Sequence, residues 1–197
     1  MIHTGPQLQH PAPRRRWLDT AWGLLRGPLL AILLVLLIHQ FLVTQFYVDG
    51  HSMDPTLASG ERLLINRVVY DFGTPKRGDI VVFRAPVAGD QDWVKRVIGL
   101  PGDTIAVTDG KLIVNGRIIA EPFIAQPMNP RHNFGPVRVP PGELFVMGDN
   151  RNVSVDSRVI GPIAITSVIG RVDLIFWPLK DFKVLGAGEE KLLPQWP

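Results

Sequence analysis

From Gly27 to Val48 the chain carries no charged residue, and Leu29 to Ile38 is an unbroken apolar run. A helix rising 1.5 Å per residue over such a stretch crosses ~30 Å of hydrocarbon, so it reads as one transmembrane anchor. A cleaved secretory signal and a buried soluble helix are the competing readings. Thr44, Gln45, Phe46, Tyr47 and Val48 lack the Ala-x-Ala pattern that cleavage requires, which favours an uncleaved anchor. His39, Gln40 and Gln45 weaken the span, whereas Phe46 and Tyr47 suit a membrane interface.

Beyond the span the periodicity changes. Ile80 to Phe83 and Leu144 to Met147 are short apolar or β-branched runs bounded by Gly, Pro and Asp, which predicts strands. Thr104 to Thr108, Lys111 to Val114 and Arg117 to Ile119 are separated by Asp109-Gly110 and Asn115-Gly116. Those dipeptides are hairpin turns, so the region predicts a β-meander. Ala120 to Pro141, rich in Pro and Asn, reads as a long loop, and the segment after Pro178 carries no pattern. No long amphipathic helix follows the anchor, and the fold class predicted is mainly β.

Composition sharpens this picture in three places. Gly and Pro together number 37 of 197 residues without a period, which suits short strands joined by turns. Cysteine is absent, which removes thiol proteases, iron–sulfur sites and disulfide scaffolds. The net charge of +3 does not point to nucleic acid, and Arg14, Arg15, Arg16 and Arg26 concentrate positive charge before the span. By the positive-inside rule residues 1–26 are cytoplasmic, 27–48 the anchor and 49–197 an extracytoplasmic domain.

Histidine chemistry finds no support. Among His3, His10, His39, His51 and His132 no pair has metal-ligand spacing, so no metal is implied. His51 adjoins Ser52, yet adjacent side chains of an extended chain face opposite ways. Gly50-His51-Ser52-Met53-Asp54 lacks the second glycine of a nucleophile elbow, and Pro55 stands where Ser-x-x-Lys enzymes have lysine. A serine can instead be activated by a neutral, desolvated lysine. Lys95 shares a strand face with Trp93 and Val97, and burial would lower its pKa. Lys76 and Lys111 sit on turn or hairpin surfaces, with nothing to desolvate them. The alternative for Lys95, a lysine snorkelling to water between apolar neighbours, stays open on these grounds.

Four ordered boxes resemble those of the bacterial type I signal peptidases, the leader peptidases that use a Ser-Lys dyad. They read Gly50-His51-Ser52-Met53-Asp54-Pro55-Thr56-Leu57, Arg77-Gly78-Asp79-Ile80-Val81-Val82-Phe83, Val94-Lys95-Arg96-Val97-Ile98-Gly99-Leu100-Pro101-Gly102-Asp103, and Gly148-Asp149-Asn150-Arg151-Asn152-Val153-Ser154-Val155-Asp156-Ser157-Arg158. The resemblance implies a strand-rich, partly barrel-like catalytic core tethered by one N-terminal helix. It implies Ser52 as nucleophile, Lys95 as general base, and Ser154 as a hydroxyl that hydrogen-bonds and orients the lysine. Asp156 and Arg158 match a pair that braces the site; a weak surface ion pair is the other reading. Met53 is expected beside the substrate cleft, with ordinary core packing as the alternative.

Where many members carry a serine whose hydroxyl helps bind the oxyanion, this chain has Gly50, leaving the backbone N–H of Ser52 as the expected donor. The implied activity is membrane-bound serine endopeptidase cleavage of signal peptides from exported preproteins, with no cofactor and with the lipid bilayer and signal peptides as partners. Two alternatives are a self-cleaving Ser-Lys protease related to SOS repressors and an inactive membrane-tethered binding module. No helix-turn-helix precedes the boxes, and both Ser52 and Lys95 are retained.

Overall fold

The computed structural model describes residues 22–34, 43–86, 89 and 91–185. The chain divides into two units, residues 1–41 and 42–197. In the first, residues 22–34 form a helix (α1) whose apolar side chains, Leu24 and Leu30 among them, are exposed. Among the described residues no helix is long and apolar enough to cross a membrane. Arg14 to Arg16 and residues 35–42 of the expected anchor lie outside the described residues.

The expected end of the anchor at Val48 is corrected. Val43–Tyr47 is a strand (β1) whose Thr44, Gln45 and Phe46 sit opposite Ile65, Leu64 and Leu63 of β2 (Arg62–Asn66). The β-branched and aromatic residues that looked suitable for a membrane interface are also good strand formers. Uncharged composition alone did not distinguish the two uses.

The second unit carries two antiparallel sheets. The larger runs β1-β2-β11-β3-β4-β9-β10, with β3 at Ile80–Arg84, β4 at Asp92–Gly99, β9 at Glu143–Met147, β10 at Ile163–Ala164 and β11 at Val168–Trp177. β12 (Lys183–Val184) pairs with β11, and Leu185 just beyond is buried, so the patternless C-terminal segment contributes to the core. The path ends at β1 and β10 with no closing pair among the described residues, so the core is an open sheet and not a closed barrel.

β3 and β9 are buried on both faces, which explains their unbroken apolar runs. In β3, Ile80 and Val82 pack in one cluster with Leu63, Ile65 and Val172, while Val81 and Phe83 pack in another with Val97 and Val146. In β9, Leu144 and Val146 join the latter, and Phe145 and Met147 face a third cluster with Ile98, Ile105 and Leu112. Successive strand side chains point to opposite faces, so burial on both requires apolar residues at every position.

That third cluster lies against the smaller sheet, ordered β7-β6-β5-β8. β5 (Thr104–Thr108), β6 (Lys111–Val114) and β7 (Arg117–Ile118) form the predicted meander. Asp109 and Gly110 have φ of 51° and 71°, and Asn115 and Gly116 have 51° and 79°. Paired positive φ angles are what two-residue hairpin turns demand of their central residues. The expected loop from Ala120 to Pro141 is corrected, since it contains a 3-10 turn at Pro130–His132 and the strand β8 (Phe134–Arg138). Pro136 hid that strand. β8 pairs only with β5, and an edge strand tolerates the missing N–H.

Candidate active site

β4 sits between β3 and β9, but β9 pairs only with its later residues, Arg96 to Gly99. Lys95 marks the end of the half left unpaired on that side. Ser52 lies in the turns between β1 and β2, after Gly50 at φ 104°. Lys95 Nζ is 2.9 Å from Ser52 Oγ and also donates to the Val94 carbonyl at 3.0 Å. The lysine is 4% exposed, and Nζ lies 5.5 Å from the Trp93 ring centroid. Strand alternation brings these two side chains together.

Burial penalises the ammonium and lowers the Lys95 pKa from 10.5 to about 8, against the opposing pull of the Asp156 and Asp149 carboxylates. A lysine acting as the expected general base must be neutral, so kcat/KM is expected to climb with pH along a limb centred near 8. The same group makes stability pH-dependent. Between about 8 and 10.5 the unfolded chain holds a lysine proton that the folded chain has lost, so stability rises with pH across that window. The penalty, roughly 3 kcal/mol, is fully present below it. A limb centred near 10.5 would mean a solvated lysine.

Ser154 Oγ is buried close to Gly148 and the Ser52 carbonyl; among the described residues it makes no hydrogen bond within 3.5 Å, so the expected bond to Lys95 is not formed, although it lies near enough to Asp156 to help hold that carboxyl's pKa down. The lysine directs its bonds to Ser52 and Val94 instead. Asp156 is fully buried and takes Arg158 in a fork, with Nε to Oδ1 and Nη2 to Oδ2 both at 2.8 Å. It also accepts from Gly148 N–H at 2.9 Å and caps the short helix α2 (Ser157–Ile160). Burial opposes ionisation of Asp156, yet Arg158 and the Gly148 N–H hold its pKa below the ordinary value. The pair is therefore interior, not a surface ion pair.

Gly148 marks the tightest point of the site. A methyl group there would overlap Ser154 Oγ and the Ser52 carbonyl oxygen, and the second of these is backbone. Gly148→Ala is expected to cut kcat/KM by at least ~10²-fold through displacement of the nucleophile turn, with stability falling by roughly 1–3 kcal/mol. Kinetics and thermal melting of the same sample check both.

A cleft of ≈590 Å³ opens onto Ser52 and Lys95, with Phe46, Tyr47, Trp93, Val153 and Val155 supplying apolar wall. Met53 is not part of that wall. It is 1% exposed and packs with Leu57, Leu63 and Val172, which corrects the expected cleft position: the turn after Ser52 sends Met53 into the core. His51 is exposed, and its Nδ1 lies 3.0 Å from Asp54 Oδ2 instead of engaging Ser52. Among the described residues no group of three or more His, Asp or Glu could hold a metal ion.

The family described as "Signal peptidase, peptidase S26" matches residues 21–177. The chain belongs to the signal peptidase family. A signal peptidase I from Bacillus amyloliquefaciens is 40% identical over 178 residues, covering 86% of this chain and 92% of that one. One from Leptolyngbya laminosa is 39% identical over 164 residues and covers 80% of each chain. A crystal structure of a signal peptidase I from Enterococcus faecalis is 35% identical, with TM-score 0.45, covering 50% of this chain and 97% of that one. The chain is accordingly a serine hydrolase of the signal peptidase kind.

Behind the Ser52–Lys95 pair of this signal peptidase lies a polar layer that sequence reasoning did not assemble. Arg96, fully buried, forks onto Asp149 at 2.8 and 2.7 Å, and Arg151 pairs with Glu121. The Phe123 ring lies 4.1 Å from the Arg96 guanidinium and 5.6 Å from that of Arg151. A charge among Val94, Val97 and Ile98 in one strand was the available signal, because an inward charge must be paired. Glu121 offered none. Burial raises its pKa against the pull of Arg151.

Proposed function

We propose that this enzyme removes N-terminal signal peptides from exported preproteins through a Ser52–Lys95 dyad and an acyl-enzyme. One observation carries the reading: a buried lysine with a lowered pKa stands 2.9 Å from a serine hydroxyl at the floor of a cleft. In the neutral state Lys95 accepts the hydroxyl proton as Oγ attacks the carbonyl carbon after the last signal residue. The resulting ammonium gives that proton to the departing amine, leaving an ester on Ser52. Water then attacks the ester with Lys95 again as base, and the signal peptide leaves with a new carboxylate.

The tetrahedral oxygen needs donors already in place, and the backbone N–H of Ser52 is the one available from the nucleophile itself. Gly50 permits the turn. Its φ of 104° disfavours any side chain, although open space lies where one would project. The substrate enters extended. Among the described residues Asp92 to Lys95 have no strand partner on the β9 side, and β1 is the sheet's outer strand, so a peptide can add between them as a strand. Small side chains nearest the scissile bond are what the family resemblance implies.

Membrane attachment is part of the same proposal. With β1 starting at Val43, the uncharged stretch shortens to residues 27–42, and the described part of the helix covers residues 22–34. Twenty-one residues from 22 to 42 would reach about 31 Å as a helix, enough to cross hydrocarbon, with Arg26 snorkelling towards the cytoplasmic side. Arg14 to Arg16 orient the N-terminus inward, placing the catalytic unit outside.

The test is cleavage of a preprotein with an Ala-x-Ala junction by the full-length chain in detergent. Wild type should release the mature chain with its N-terminus immediately after the junction, and Ser52→Ala should release none. Cleavage elsewhere, or undiminished cleavage by Ser52→Ala, would defeat the reading.

A further inference from the structure

Lys95 is not the only residue that holds the nucleophile. Asn150 makes two hydrogen bonds to the turn that carries Ser52, one on each side of its Cα. Its backbone N–H donates to the Ser52 carbonyl at 3.0 Å, and its side-chain Nδ2 donates to the His51 carbonyl at 3.0 Å. A carbonyl can only accept, so the amide must turn its NH2 group toward His51.

Peptide geometry converts these two bonds into an orientation. Each peptide unit is planar and trans, so its C=O and N–H point in opposite directions. The unit held at the His51 oxygen carries the Ser52 N–H on its far edge. The unit held at the Ser52 oxygen begins at the Ser52 Cα. The φ and ψ of Ser52 are rotations between Cα and these two planes, so pinning both planes also aims the Cα–Cβ bond that carries Oγ. His51 and Ser52 line the cleft and Asn150 does not. The Ser52 N–H, facing away from Asn150, donates to no acceptor among the described residues.

Asn150 is itself well held. Its carbonyl accepts from Ser154 N–H at 3.1 Å and from Val153 N–H at 3.3 Å. The neighbours on either side are anchored in the buried ion pairs Asp149–Arg96 and Arg151–Glu121. A rigid donor gains more from its placement than a mobile one, because no reorganisation is needed when charge develops.

We propose that Asn150 is a positioning residue that aims both the Ser52 hydroxyl and the Ser52 N–H, the latter as the oxyanion donor. This rests on the Ser52–Lys95 reading. Its side-chain bond serves the transition state and contributes little to ground-state binding, because Asn150 does not line the cleft.

Asn150→Asp and Asn150→Ala, made in the full-length chain, separate this role from space filling. Aspartate has the same shape as asparagine but its carboxylate cannot donate to the His51 carbonyl. Both variants are expected to lose about ten- to a hundredfold in kcat on the Ala-x-Ala preprotein, with KM within about threefold of wild type. In Asn150→Ala the ascending pH limb should stay where wild type has it, because Lys95 is untouched; the new carboxylate of Asn150→Asp favours the Lys95 ammonium and can move the limb only upward, so its kcat is read on the high-pH plateau. Wild-type plateau kcat in Asn150→Asp would overturn the proposal, as would a loss carried by KM in either variant or by a moved limb in Asn150→Ala. Should either variant melt well below wild type, the other decides. Ser52→Ala is run alongside: activity surviving there defeats the dyad reading itself, whereas an inactive Ser52→Ala beside a fully active Asn150→Asp defeats only the role given to Asn150.

Discussion

Lys95→Ala is expected to lower kcat/KM by at least ~10³-fold, and Ser52→Ala to do the same, while the double variant loses little more than either alone. The reason is that, in the mechanism proposed, the hydroxyl and the amine form one device. At 2.9 Å they share one proton in flight, and removing either end removes the transfer. Lys95→Arg should be as inactive as Lys95→Ala, because a guanidinium keeps its proton at every working pH. What activity remains would come from binding and from the Ser52 N–H in the lysine variants. His51→Ala should stay close to wild type, since its ring is turned to Asp54. Single-turnover measurements on the preprotein check the series. Additive losses in the double variant would mean that serine and lysine act in separate steps.

The parts of this site legible in the sequence were those governed by strand periodicity. Alternation put Lys95 beside Trp93, and the Gly-containing dipeptides at 109–110 and 115–116 marked the hairpins, because these features depend only on near neighbours. What failed to show depended on which face a turn presents or on partners far along the chain. Met53 follows Ser52 directly, yet the turn turns it into the core, and no spacing rule covers such a turn. β1 was hidden by composition equally suited to lipid and to a sheet. The clamp from Asn150 to His51 joins residues 99 positions apart and requires the tertiary fold to exist. Ser154 illustrates a narrower limit: resemblance put it at the site, but its neighbours decide what its hydroxyl bonds to.

The largest stability loss is expected from Asp149→Ala, which leaves the Arg96 guanidinium buried without its carboxylate. Both side chains are fully shielded, and the fork at 2.8 and 2.7 Å satisfies two donors at once. The Gly78 carbonyl at 3.0 Å, Thr56 Oγ1 at 3.4 Å and the face of Phe123 also meet this guanidinium, and none of these three carries a negative charge. Breaking one side of such a pair costs about 3–5 kcal/mol, which for a domain of this size lowers Tm by roughly 10 °C. Replacing both partners by apolar groups should restore much of the loss, because the desolvation cost of two ions disappears together with their attraction. Asp149→Ala with Arg96→Met is therefore expected to melt above Asp149→Ala alone. The catalytic consequence has a defined sign. Asp149 raises the Lys95 pKa, so its removal should move the ascending limb of kcat/KM to lower pH. Thermal melts and pH profiles of the two variants measure these effects separately. A single variant that melts within about 2 °C of wild type would show that the pair is solvated, and the buried layer behind the dyad would lose its claimed part in holding it.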